Sequence, residues 1–190
     1  MIKEVIDHIS DTLQSTFGKV YLWFDKSEEL QTYFPKNRGW SINQILEHIG
    51  LTNHFLLILI EKGKKKAMKN IHDLDLAPAL AQYTFGSKKL DDIGKHLAFD
   101  WIRPEHMEPV GAKTLPEIKT QLEQQLQQCL DVLAEMPNGE GVLYKTTMTV
   151  NGLGKIDVYQ YIYFLAMHAQ RHLEQMEKIE LEWQNQSAAK

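Results

Sequence analysis

Four stretches of this chain repeat their apolar residues every three or four positions. That period limits the fold more than any other feature, because it is the signature of amphipathic helices that bury one face. The first stretch steps through Ile2, Ile6, Ile9, Leu13, Phe17, Val20 and Phe24, broken only by the weak helix former Gly18. The second opens with Ser41-x-x-Gln44, a capping box, with Trp40 and Ile45 placed for a hydrophobic staple. It is expected to run to about Glu61 and to be followed by a basic tail of Lys62, Lys64, Lys65, Lys66 and Lys69. The third follows Thr114-x-x-Glu117 with Leu115, Ile118, Leu122, Leu126, Cys129, Leu133 and Met136, and stops before the turn Pro137-Asn138-Gly139. The fourth starts at Asp157, with Gln160 in the box position, and continues to about Trp183.

Four such helices and almost no strand alternation predict an all-α protein, a four-helix bundle. A single domain over 1–183 is expected, with 184–190 as a polar, frayed tail. Two segments break the pattern. The connection from about Asn70 to Lys113 holds Pro78, Pro104, Pro109, Gly86, Gly94 and Gly111, and a link of that length is functional or carries short helices of its own. Residues 141–156 contain a β-branched run and Asn151-Gly152, which suits a short hairpin.

Composition removes several function classes. A net charge of −4 argues against a general nucleic-acid binder. The longest apolar run, Phe55–Ile60, is far short of the roughly 20 residues of a membrane span. One cysteine, Cys129, excludes a disulfide framework and a cysteine-based zinc ribbon. The acidic N-terminal residues do not read as a signal peptide, so a cytoplasmic protein is expected.

The chemistry lies in the histidines. His168 and His172 are i and i+4, about 40° apart on one helical face. That face also carries Tyr161, Phe164, Leu165, Met176 and Ile179. His48 falls on the apolar face of the second helix, whereas His54 points the other way, to the surface. Burying three imidazoles is costly unless each nitrogen finds a partner. A shared metal ion would satisfy all three and leave a coordination position open. The alternative is three hydrogen-bonded core residues. Cys129 reads as a small buried hydrophobe, and the lysines as a solvated helix end. Trp101, Phe99 and Tyr83 could line a pocket or pack over the bundle. Arg171 could meet an anionic substrate or pair with Glu174 at i+3. Glu47 sits off the inward face and could support His48 only through a neighbouring helix.

Trp40-Ser41-Ile42-Asn43-Gln44-Ile45-Leu46-Glu47-His48-Ile49 resembles the W-S-x-x-(E/Q)-x-x-x-H-(L/I) signature of the DinB/YfiT-like superfamily. His168-Ala169-Gln170-Arg171-His172-Leu173-Glu174-Gln175 is similar to its second signature, H-x-x-R-H-x-x-Q, and the stretch Trp101–Pro109 to its loop before the third helix. The resemblance implies a DinB-like bundle in up-down-down-up order, with a long connection between helices 2 and 3. It implies a divalent metal, nickel or zinc first and iron or manganese next, on His48, His168 and His172. Trp101, Tyr161 and Arg171 are the candidate pocket residues. Several relatives are thiol-dependent transferases or isomerases that use a low-molecular-weight thiol such as bacillithiol or mycothiol, others are known only as metal-dependent hydrolases, and many have no known activity. The expected function is a metal-dependent S-transferase or related hydrolase acting on a small molecule, with no nucleic-acid or membrane partner and with pairing into a homodimer. A non-catalytic metal- or ligand-binding bundle linked to stress response is the competing expectation.

Overall fold

The computed structural model describes residues 2–101 and 104–188. Met1, Ala189 and Lys190 lie outside the described residues, as do Ile102 and Arg103 of the loop motif. Four long helices carry the fold: α1, Ile2–Tyr21; α2, Ile42–Asn70; α3, Leu115–Glu135; and α4, Val158–Ala188. Helices α1 and α2 each pack against both α3 and α4, so the four enclose one core. Their stripes meet there, with Ile9, Leu13 and Phe17 from α1, Ile45 and Ile49 from α2, Leu122 and Cys129 from α3, and Phe164 and Leu165 from α4. Each leucine-sized side chain so buried contributes about 1.5–3 kcal/mol.

Specific pairs fix how the helices lie along one another. The Gly50 carbonyl accepts from the side-chain amides of Gln121 and Gln125, and farther along Lys64 reaches Glu135. His8 meets Tyr163, and Lys26, just beyond α1, reaches Glu180. Across α2 and α4 the numbers run oppositely: Gly63 lies against Val158, whereas His48 meets His168 and His172.

The expected caps are present. Ser41 Oγ accepts the Gln44 N–H while Gln44 Oε1 accepts the Ser41 N–H. Asp157 and Gln160 make the same reciprocal pair at α4, and Thr114 and Glu117 close the box at α3.

Two helices run longer than their sequence patterns suggest. α2 does not stop at Glu61 but continues through the lysines to Asn70. Lysine is a good helix former, and Lys64 is held between Glu61 at 3.0 Å and Glu135 at 3.0 Å. α4 passes Trp183 and continues to Ala188. Its last turns are tethered, because Glu182 accepts the Tyr33 hydroxyl and the Lys36 N–H, and Gln186 bonds Tyr33.

The connection between α2 and α3 contains short helices at Leu76–Ala81 and Lys88–Asp91, and single 3₁₀ turns at Asp92–Gly94 and Glu105–Met107. The expected hairpin precedes α4: β1, Lys145–Met148, pairs antiparallel with β2, Gly154–Asp157, with Thr146 opposite Ile156. Asn151 and Gly152 take the left-handed backbone in the loop between them. Among the described residues, no helix is long and apolar enough to cross a membrane.

Candidate metal centre

His48 comes from the first turns of α2, and His168 and His172 from adjacent turns on the facing side of α4. All three are buried, at 4%, 2% and 6% exposure. One ring nitrogen from each lies within 4.8 Å of the others. The ring centroids of His48 are 5.2 Å from His168 and 4.8 Å from His172.

Hydrogen bonds set which nitrogens converge. His48 Nδ1 is 2.7 Å from the Met107 carbonyl oxygen. A carbonyl only accepts, so Nδ1 carries a proton, and in the neutral ring Nε2 keeps its lone pair. His172 Nδ1 lies 2.9 Å from Gln175 Oε1, and the same logic leaves its Nε2 as a lone-pair donor. His172 Nε2 is 3.1 Å from His168 Nε2, while His168 Nδ1 is buried with no hydrogen-bond partner among the described residues. Burial first, and then the neighbouring imidazoles, holds the pKa values of His168 and His172 well below the ordinary histidine range. Both rings are therefore neutral, the form that ligates metals.

The donor set fits a metal ion. Two nitrogens bound tetrahedrally at about 2.0–2.1 Å are separated by roughly 3.3 Å, close to the observed 3.1 Å. With its proton on Nδ1, the tautomer a metal-bound Nε2 requires, His168 points a lone pair at that of His172, an opposition that a cation between them relieves. The outer nitrogens of His48 and His172 are already engaged by acceptors, as is usual around ligating histidines.

Around the triad, Trp40 lies 4.6 Å from His48 and Trp101 5.7 Å from His168, centroid to centroid. The Arg171 guanidinium sits over Trp101 at 4.8 Å and Phe99 at 5.7 Å, and donates to the Lys95 carbonyl. Burial pushes its pKa down to about 10. Glu174 accepts from the His96 N–H, and its charge acts on Arg171 against that shift. Of the three candidate pocket residues, Trp101 and Arg171 are thus beside the histidines. Tyr161 is not: its hydroxyl donates to the Thr147 carbonyl of the hairpin. Phe99 and Tyr83 part in the same way, since Tyr83 borders a small recess with Val142 and Lys145. His54 is exposed, as its helical phase requires.

Cys129 is fully buried, and burial pushes its thiol up to about 12, so it is no nucleophile in this state. Four of the lysines line a groove of about 730 Å³ with Leu57, Ile58 and Gln128, away from the three histidines. Sequence reasoning missed Met107, because a main-chain carbonyl leaves no mark in a motif. Gln175 was within reach, since it closes the second signature.

A family model of the DinB superfamily matches residues 23–176, a span that contains all three histidines. No curated protein and no solved structure matches the chain. With that match over most of its length, the chain belongs to the DinB superfamily.

Proposed function

We propose that His48, His168 and His172 hold a divalent metal ion, nickel or zinc, and that the protein is a thiol-dependent S-transferase or related hydrolase acting on a small electrophilic molecule. The observation that carries this is the convergence of three buried imidazoles, with the outer nitrogens of His48 and His172 already committed. A bound divalent ion supplies Lewis acidity that lowers the pKa of a thiol or water toward neutrality. The chain's own residues supply the rest. Burial excludes water, Met107 and Gln175 fix ring orientation, and Arg171 over Trp101 offers a cation at the rim of the site.

The same proposal takes residues 1–183 as one cytoplasmic domain. It keeps the up-down-down-up order, which the pairs Gly50–Gln121, Lys64–Glu135 and Gly63–Val158 support. The protein is expected to work as a homodimer and to bind neither nucleic acid nor membranes.

A second reading, a non-catalytic metal- or ligand-binding bundle, is favoured by one observation: Trp40 and Trp101 pack over the histidines. Cobalt(II) substitution separates the two. Addition of a low-molecular-weight thiol should produce a new sulfur-to-cobalt absorption band if the site is open to thiols. A visible spectrum that thiols leave unchanged, even at millimolar concentration, would favour the binding module.

A further inference from the structure

Glu47 and His48 are consecutive on α2, so their side chains leave the helix about 100° apart. His48 turns to the other histidines. Glu47 turns to the connection before α3, where it is 6% exposed and its carboxylate accepts three main-chain N–H groups: Val110 at 3.3 Å, Gly111 at 2.9 Å and Ala112 at 3.2 Å. Successive N–H groups converging on one anion form a nest, which here is filled by a side chain of the protein itself. Gly111 makes it possible by taking φ +70°, a conformation that side-chain-bearing residues avoid. Three residues before the nest, the Met107 carbonyl accepts from His48 Nδ1 at 2.7 Å. The links close a ring from Glu47 to the nest, along the chain to Met107, and back through the imidazole to the residue next to Glu47.

We infer that Glu47 is a positioning residue for the three-histidine site: by clamping Val110–Ala112 it places the Met107 carbonyl that fixes the tautomer and orientation of His48. This rests on the metal-centre assignment proposed above. Glu47 does not touch the site. Charge-assisted bonds of this kind are roughly twice as strong as neutral ones, so an amide in its place holds the segment less firmly. A glutamine also turns an N–H₂ toward N–H donors. Loss of an outer partner of a metal-bound histidine typically weakens metal affinity by about 10–100-fold.

The test compares wild type, Glu47→Gln and Gly111→Ala. A Cβ at position 111 meets no atom within 4 Å, so the alanine acts only through backbone strain and opens the clamp from the loop side. Zinc affinity is measured by competition with a chromogenic chelator, and the His48 tautomer of the metal-free protein by long-range ¹H–¹⁵N correlation. Both variants should lose about tenfold or more in zinc affinity. Both should also shift His48 away from the Nδ1–H tautomer, and the double variant should lose no more than the worse single one. Folded variants with wild-type zinc affinity and a wild-type His48 tautomer would overturn the clamp, whatever their melting temperatures. Wild-type protein that binds no zinc, nickel or cobalt would instead overturn the metal-centre assignment. The tautomer comparison would then still decide whether Glu47 orients His48.

Discussion

His168 Nε2 and His172 Nε2 face each other at 3.1 Å in the core, one helical turn apart on α4, and the remaining nitrogen of His168 has no hydrogen-bond partner among the described residues. A fold selected for stability alone has no use for that arrangement, because a buried unsatisfied nitrogen costs about 1–3 kcal/mol. His168→Leu is therefore expected to raise the stability of the metal-free protein by about 1 kcal/mol, while abolishing the further stabilisation that zinc gives the wild type. Thermal melts with chelator and with excess zinc measure both. A destabilised metal-free variant would mean that the imidazole is satisfied in solution.

Cys129 tests the site from the opposite direction. Its thiol is fully buried and pushed up to about 12. The native protein should resist thiol reagents until it unfolds. Cys129→Ser should cost about 1–3 kcal/mol, through a hydroxyl without a partner in an apolar stripe, and leave metal content unchanged. Rapid alkylation of the native protein would contradict the packing described for α3.

Asp157 gives the fold a pH dependence separate from the histidines. Its carboxyl is 1% exposed, and burial raises its pKa from 3.8 to about 6 against the opposing Gln160 N–H bond. The folded chain thus holds a proton that the unfolded chain releases earlier. Stability from this group is present below about pH 4, falls as the pH climbs to about 6, and then levels. The amide of Asp157→Asn does not ionise. The stability difference between variant and wild type should therefore shift toward the variant by up to about 3 kcal/mol between acid and neutral pH, as read by urea unfolding.

Gly18 lies inside α1, exposed, and a Cβ there meets nothing within 4 Å. Gly18→Ala should stabilise the protein by about 1 kcal/mol without altering metal binding. A loss of stability would place that face of α1 against an interface, and size-exclusion chromatography of the variant would show it.

Much of this was legible in the sequence because it is local. The apolar period marked the four helices, and the boxes at Ser41, Thr114 and Asp157 marked three of their starts. The i, i+4 spacing put His168 and His172 on one face, and helical phase turned His48 inward and His54 outward. What escaped depends on contacts distant in sequence. α2 runs through its lysines because Glu135 of another helix helps to hold Lys64. α4 continues to Ala188 because Tyr33 and Lys36 tether it. Tyr161 shares the histidine face of α4, yet its hydroxyl is spent on the hairpin. Glu47 reads as lying off the inward face, with a neighbouring helix as its only route to His48, whereas its partner is the nest formed by the connection.

The central claim is that three core histidines exist to hold a metal ion, and elemental analysis of protein purified without a histidine tag tests it most directly. The wild type, as isolated or after reconstitution, should carry about one divalent ion per chain, and the His48→Ala/His168→Ala/His172→Ala variant should carry none. A wild type that stays metal-free after reconstitution, or a triple variant that keeps its metal, would contradict it.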